Sequence, residues 1–271
     1  IRSPRSTASR RGSDGVKIGI ACYPTFGGSG VVATELGHEL ASRGHDVHFI
    51  SYALPSRLNL FQRGVSYHEV AVPTYPLFNY PPYDLALATR IVDVALHEGL
   101  DVLHAHYALP HAISAHLARE MLLPRRLAVV TTLHGTDVTI VGQDRSYLPI
   151  TRFGIGRSDA VTAVSEYLAR VTREVFDPAK EIEVVPNFID PERWRPADGP
   201  RRRSCFAKEG EKLLLHVSNF RPVKRVLDVV EVFDRVRREL PARLLMIGDG
   251  PDRPAAEELC RARGMAGMVH F

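Results

Sequence analysis

The residues of this chain that could do chemistry gather at a few turns. Gly27-Gly28-Ser29-Gly30 follows a short β-branched run ending at Cys22-Tyr23-Pro24 and opens into a helical pattern at Val31. Glycines there permit close backbone approach, and the unpaired N–H groups and dipole of a helix start favour an anion. A phosphate or carboxylate could therefore sit on Gly28, Ser29 and Gly30. The run from Gly28 to Ala33 also fits the G-x-G-x-x-A dinucleotide fingerprint. That fingerprint wants an acid at the end of the second strand, where Ser51-Tyr52 stands instead, which disfavours NAD and leaves NADP open.

Further on, His104-Ala105-His106-Tyr107 closes a strand at the edge where open α/β sheets place ligands. Histidines at i and i+2 share one strand face and could bind a metal. No third ligand of suitable spacing follows, so the reading assigns no metal and expects buried or hydrogen-bonded histidines. Thr131-Thr132-Leu133-His134-Gly135-Thr136-Asp137 is another strand end. A histidine oriented there by hydroxyls and a carboxylate can hydrogen-bond a sugar or donate to a developing charge. In Ser218-Asn219-Phe220-Arg221-Pro222-Val223-Lys224-Arg225 the cations of a strand-to-helix turn suit a diphosphate, the alternative being a solvated basic turn. Gly248-Asp249-Gly250 leaves room for a base or ribose, or is a tight turn.

The elements that must position these residues alternate. Strand-like runs at 17–22, 47–52, 65–72, 102–106, 128–133, 160–164 and 182–185 are interleaved with helical patterns at 31–42, 85–97, 111–121 and 166–175. Such alternation predicts a parallel sheet wrapped by helices on both faces. Residues 188–210 break it with Pro191, Pro196, Gly199, Pro200 and three consecutive arginines, Arg201 to Arg203, and read as a linker. Alternation resumes with strands at 213–217 and 243–247, helices at 225–239 and 254–263, and a strand beginning at Val269. The expected fold is α/β, with two Rossmann-like doubly wound domains. A basic tail occupies 1–15, a first domain 16–187, the linker 188–210 and the start of a second, incomplete domain 211–271. The chain begins at Ile1, and an open α/β sheet averages about five to six strands, so both ends read as cut.

Composition narrows the function classes. An apolar fraction of 45% provides a packed core. Residues 1–13 contain Arg2, Arg5, Arg10 and Arg11 and no acid, so they account for the net charge of +4 and leave the rest near neutrality. Nucleic-acid binding is not inferred; the tail has no apolar signal core and reads as a disordered extension. Cys22, Cys205 and Cys260 are odd in number and widely spaced, against a disulfide framework or zinc site and in favour of a reducing, cytoplasmic compartment. No apolar run approaches the roughly 18–20 residues of a membrane span.

Taken in order, these motifs resemble the large family of retaining glycosyltransferases built from two Rossmann-like domains, family four, and within it the malate-using branch of the bacillithiol pathway. The phrases that carry the likeness are Ile18 to Pro24 with Gly27 to Gly30, Tyr80-Pro81-Pro82-Tyr83-Asp84-Leu85-Ala86, His104 to Pro110, Thr131 to Asp137, Arg152-Phe153-Gly154-Ile155 and His216 to Arg225. The resemblance implies UDP-N-acetylglucosamine as donor, held mostly by the second domain, and L-malate as acceptor on the first. It implies catalytic roles for His134, beside the transferred sugar, and for Arg221 and Lys224. It further implies a donor diphosphate site at Gly28, Ser29, Gly30, Asn219, Arg221 and Lys224, and an acceptor site at Ser29, Tyr107, Thr132 and Arg221. Asn219 stands where the wider family has arginine, and Arg221 appears instead, as in the malate-using branch.

The implied mechanism retains anomeric configuration and stabilises the leaving UDP with cations and helix N-termini, with no cofactor and no metal. The resemblance implies neither nucleic-acid nor membrane partners and allows a homodimer. It also implies two glutamates eight positions apart further along the second domain. Glu257-Glu258 do not match them, so the chain as it stands is expected to be inactive or nearly so. Alternatives are a family-four transferase with another acceptor, or a non-catalytic nucleotide- or malate-binding domain.

Overall fold

A computed structural model describes residues 15–195 and 202–271. The arginine-rich start, and Pro196, Gly199, Pro200 and Arg201 of the expected linker, lie outside the described residues. The chain divides into two compact units, one ending at Ile189 and one starting at Asp190.

The first unit runs β1 (Lys17–Ala21), α1 (Gly28–Ser42), β2 (Asp46–Ser51), β3 (Val65–Glu69), α2 (Tyr83–Glu98), β4 (Val102–His106) and a kinked turn (Ala108–Ala112). It continues with α3 (Ile113–Met121), β5 (Ala128–Leu133), α4 (Thr136–Thr139), α5 (Leu148–Arg157), β6 (Ala160–Ala163), α6 (Glu166–Phe176) and β7 (Ile182–Val184). The seven strands lie in the order β3-β2-β1-β4-β5-β6-β7 and every pairing is parallel. Parallel strands buried on both faces are apolar throughout rather than alternating, as in β2, where Val47 to Ser51 are all buried. Ile50, Leu103 and Ala105 pack with Leu87, Ile91 and Val94 of α2 and Ala115 and Ala118 of α3. Ile20, Val47 and Phe49 pack with Ala33 and Ala41 of α1. The sheet is thus covered on both faces, as the alternating pattern predicts.

Local boundaries differ from the sequence expectation. α1 starts at Gly28 rather than Val31, so the two glycines form its first turn. β3 ends at Glu69. The helix expected from 111 starts at Ile113, because Leu109 holds extended backbone (φ −121°, ψ 134°) inside the kink. α4 and α5 have no counterpart in the sequence pattern: α4 has four residues, and Gly154 and Gly156 with a proline in the first turn obscure the periodicity of α5.

In the second unit a 3-10 turn (Arg202–Cys205) precedes β8 (Lys212–Val217), a second such turn (Pro222–Lys224), α7 (Val226–Glu239), β9 (Ala242–Ile247), α8 (Arg253–Ala262) and β10 (Val269–His270). Its sheet has the order β10-β9-β8, all parallel. Phe220, Val226, Val230 and Phe233 pack on Leu244 and Met246 in its core. Part of the stretch read as linker is attached to this unit: Arg203 donates to the carbonyls of Lys208 and Glu211, and Phe206 meets His270 edge-on.

Candidate active site

In the first unit the strand order reverses direction between β1 and β4, where Ala21 pairs with Ala105. Loops leaving the carboxyl ends of two such strands diverge and open a crevice, the usual ligand position of an open α/β sheet. A cavity of about 480 Å³ lies there, lined by Tyr23 after β1, Tyr107, Leu109 and Pro110 after β4, Asp137 and Val141 after β5, and Tyr83, Tyr147 and Ile150.

On the β1 side, α1 begins with Gly27 as N-cap, no side chain capping it and no acid in its first turn. The first-turn N–H groups of this 15-residue helix suit an anion. The two helical glycines differ in kind. A Cβ at Gly30 would stand 2.5 Å from the Tyr23 carbonyl oxygen and 2.6 Å from that of Thr25, whereas one at Gly28 would meet nothing within 4 Å. Gly30 is required by packing; Gly28 faces open space, next to half-buried Ser29.

On the β4 and β5 side, four histidines crowd together. His106 Nδ1 lies 3.0 Å from His134 Nε2, and the His104 and His106 ring centroids are 4.3 Å apart. Burial pushes His104, His111 and His134 down to about 4 and takes His106 well below its ordinary value. All four are therefore neutral at pH 7. Because one nitrogen of His134 is held by His106, only Nδ1 remains to meet a ligand. The carboxylate expected to orient His134 does so through the backbone: fully buried Asp137 accepts from the N–H groups of His134 (3.1 Å), Gly135 (2.8 Å) and Ala108 (3.2 Å). Burial raises the Asp137 pKa, opposed by these N–H donors.

The hydroxyls around His134 bond elsewhere. Thr131 pairs with Ser158 (2.7 Å), and Thr132, 7% exposed, is shared between His104 Nε2 (2.6 Å) and Thr162 (2.7 Å). Thr136 joins the Tyr107 hydroxyl. Tyr107 itself has φ 101°, ψ 137°, a backbone region costly for a side chain with a Cβ and concentrated at functional sites. That conformation sets its ring 5.8 Å from His134 and 5.3 Å from Tyr23.

The basic turn of the second unit sits at the carboxyl end of β8. Asn219, Arg221 and Lys224 are exposed. Arg225 is paired with Asp228, while among the described residues neither Arg221 nor Lys224 has an acidic partner. Two cations thus remain for an anionic ligand, held on a turn anchored by fully buried Phe220. The Gly248-Asp249-Gly250 turn serves that anchoring. A Cβ on Gly248 (φ 137°) would fall 1.8 Å from the Ser218 carbonyl oxygen, and one on Gly250 (φ 152°) 2.6 Å from that of Phe220. Both positions therefore exclude a Cβ because the neighbouring turn lies against them, tied by Phe220 N–H to the Asp249 carbonyl at 2.8 Å, while Gly248 and Asp249 themselves stay exposed.

A family model described as Glycosyltransferase Family 4 matches residues 26–193. The chain belongs to glycosyltransferase family 4. A second model, Glycosyl transferases group 1, matches residues 200–271. N-acetyl-alpha-D-glucosaminyl L-malate synthase of Bacillus anthracis is 52% identical over 88% of this chain, which spans 62% of that protein's length. A GDP-mannose-dependent alpha-(1-6)-phosphatidylinositol monomannoside mannosyltransferase of Mycobacterium tuberculosis is 28% identical over 77% of this chain and 53% of its own. HepE of Anabaena, solved with UDP-glucose, superposes with a TM-score of 0.75 at 16% identity, covering 94% of this chain and 68% of that one. At such identity the likeness shows the fold, the two-domain α/β architecture of GT-B glycosyltransferases.

Within this family-4 chain, Gly28, Ser29, Gly30, Tyr107, Thr132 and His134 gather at the carboxyl edge of the first sheet, and Asn219, Arg221 and Lys224 at that of the second. Sequence reasoning missed His106 as the partner of the His134 ring and Tyr23 and Tyr147 as cavity walls. It expected an orienting carboxylate, Asp137, but not that this acid would act through the backbone N–H groups of the turn, as side-chain capping does. The pairing of His106 with His134 spans 28 residues and had no local signal.

Proposed function

We propose that this protein is a retaining glycosyltransferase moving N-acetylglucosamine from UDP-N-acetylglucosamine to the hydroxyl of L-malate, the first step of bacillithiol biosynthesis. The 52% identity to the Bacillus anthracis malate synthase carries the reading. The chemistry of the two sheet edges supports it. The glycosidic bond to the diphosphate breaks as the malate oxygen bonds the anomeric carbon on the same face, the malate hydroxyl proton passes to the departing phosphate oxygen, and charge accumulates on the leaving UDP as the bond breaks. Arg221 and Lys224, lacking acidic partners among the described residues, supply positive charge there, with no metal in catalysis. On the first unit the uncapped start of α1, with Ser29, takes a carboxylate or phosphate oxygen, and Tyr107 adds to the grip on the dianionic acceptor. Neutral His134 offers Nδ1 to the transferred sugar. Thr132, already shared between His104 and Thr162, acts by fixing the strand end beneath the site.

The test is UDP release by the full-length protein given UDP-N-acetylglucosamine and L-malate. Release that depends on malate is the expected result. Release with another acceptor but not with malate would replace the substrate and keep the class, and no release with any acceptor would overturn the reading.

A further inference from the structure

Three ligating side chains from separate elements meet outside the candidate active site: His48 on β2, His68 on β3 and Glu98 in the last turn of α2, with donor atoms all within 4.8 Å of one another. Register pairs Ile50 with His68 and His48 with Ser66, so both histidines lie on the face of the sheet that Ile50 shares with α2. His48 Nδ1 is 3.0 Å from His68 Nε2. Two nitrogens bound to one tetrahedral ion at about 2.0–2.1 Å stand about 3.4 Å apart, so a small relaxation brings this pair to chelating separation.

His48 is 2% exposed, and its other nitrogen, Nε2, has no hydrogen-bond partner, although Asp46 Oδ2 lies 3.5 Å away. Ligation through Nδ1 leaves Nε2 protonated and turned toward that carboxylate, and histidine bound to a metal characteristically donates its remaining N–H to one. Arg90 is the nearby opposing charge, and the Glu98 carboxylate offsets it.

We propose that His48, His68 and Glu98 form a site for a divalent first-row transition ion of the zinc class, with water in the fourth position. Two imidazoles and one carboxylate suit that class. β3 is the edge strand of the sheet, and the ion would clip it to β2 and to the end of α2. The site shares no residue with the transfer machinery and stands whatever the acceptor proves to be.

The full chain, stripped with a chelator, is titrated with Co²⁺ while the visible d–d bands of a four-coordinate ion are followed, then with Zn²⁺ in competition. One ion per chain is expected. Uptake should be lost in His68→Gln and Glu98→Gln, and weakened about ten- to a hundredfold in Asp46→Asn. It should persist in His97→Gln, an exposed neighbour of Glu98. Circular dichroism checks folding. The amide introduced by His68→Gln can still hydrogen-bond His48, and Glu98→Gln and Asp46→Asn alter half-buried positions that carry the test by themselves. No saturable one-to-one uptake, or uptake unchanged in Glu98→Gln and His68→Gln, would overturn the proposal.

Discussion

In the proposed reaction His134 acts through a single free ring nitrogen, which makes its environment as consequential as its identity. His134→Ala should lower kcat/KM about 10²–10³-fold, the loss typical of one preorganised partner of a developing charge. His106→Phe keeps a ring beneath His134 but removes the 3.0 Å contact, and should lower kcat by less while barely moving KM. Steady-state kinetics on the two variants separate contact from positioning. In the second unit, Lys224→Met should lower kcat/KM about 10²–10³-fold, whereas Arg225→Met should leave it near wild type because Arg225 is already paired with Asp228. Equal losses in both would mean that the turn acts through its overall charge and not through particular residues.

Among the elements, the start of α1 and the turn after β9 show how backbone space decides what a glycine is for. Gly28→Ala meets nothing within 4 Å and replaces glycine in a helix, so stability should hold or rise by up to about 1 kcal/mol. Its effect should fall on donor or acceptor KM. Gly30→Ala forces a Cβ to 2.5 Å from the Tyr23 carbonyl oxygen and should cost about 1–3 kcal/mol, with kcat falling as the helix start shifts. Denaturant titration beside kinetics distinguishes the pair. Gly248→Ala, at φ 137° and 1.8 Å from the Ser218 carbonyl oxygen, should displace the turn that holds Arg221 and Lys224, and so weaken UDP binding measured by calorimetry.

For the molecule as a whole, the buried histidines set the response to acid. His104, His111 and His134 are held at about 4, below the ordinary 6.5. Between those values the unfolded chain binds more protons than the folded one. Their contribution to stability is therefore full above about pH 6.5 and declines as pH falls toward 4, by up to about 1.4 kcal/mol per pH unit for each titrating histidine. Tm measured by calorimetry should fall over that window, and His111→Gln should make the fall shallower. A Tm that stays flat from pH 6.5 to 4.5 would mean that these rings are hydrated.

Much of this was written in the sequence, because period and composition are local. The β-branched runs and amphipathic stretches specified a parallel, doubly wound sheet, and the order of Gly27 to Gly30, His104 to Tyr107, Thr131 to Asp137 and Ser218 to Arg225 specified the family. α4 and α5 escaped because one has four residues and the other carries Gly154 and Gly156. The tertiary structure alone decided which groups spend their hydrogen bonds on each other, since burial and cross-strand register are not properties of any short segment. It engaged Thr132 with His104 and Thr162, gave the His134 ring to His106, set the Gly248 turn against the Ser218 and Phe220 carbonyls, gave Arg225 but, among the described residues, neither Arg221 nor Lys224 an acidic partner, and brought His48, His68 and Glu98 together from three elements.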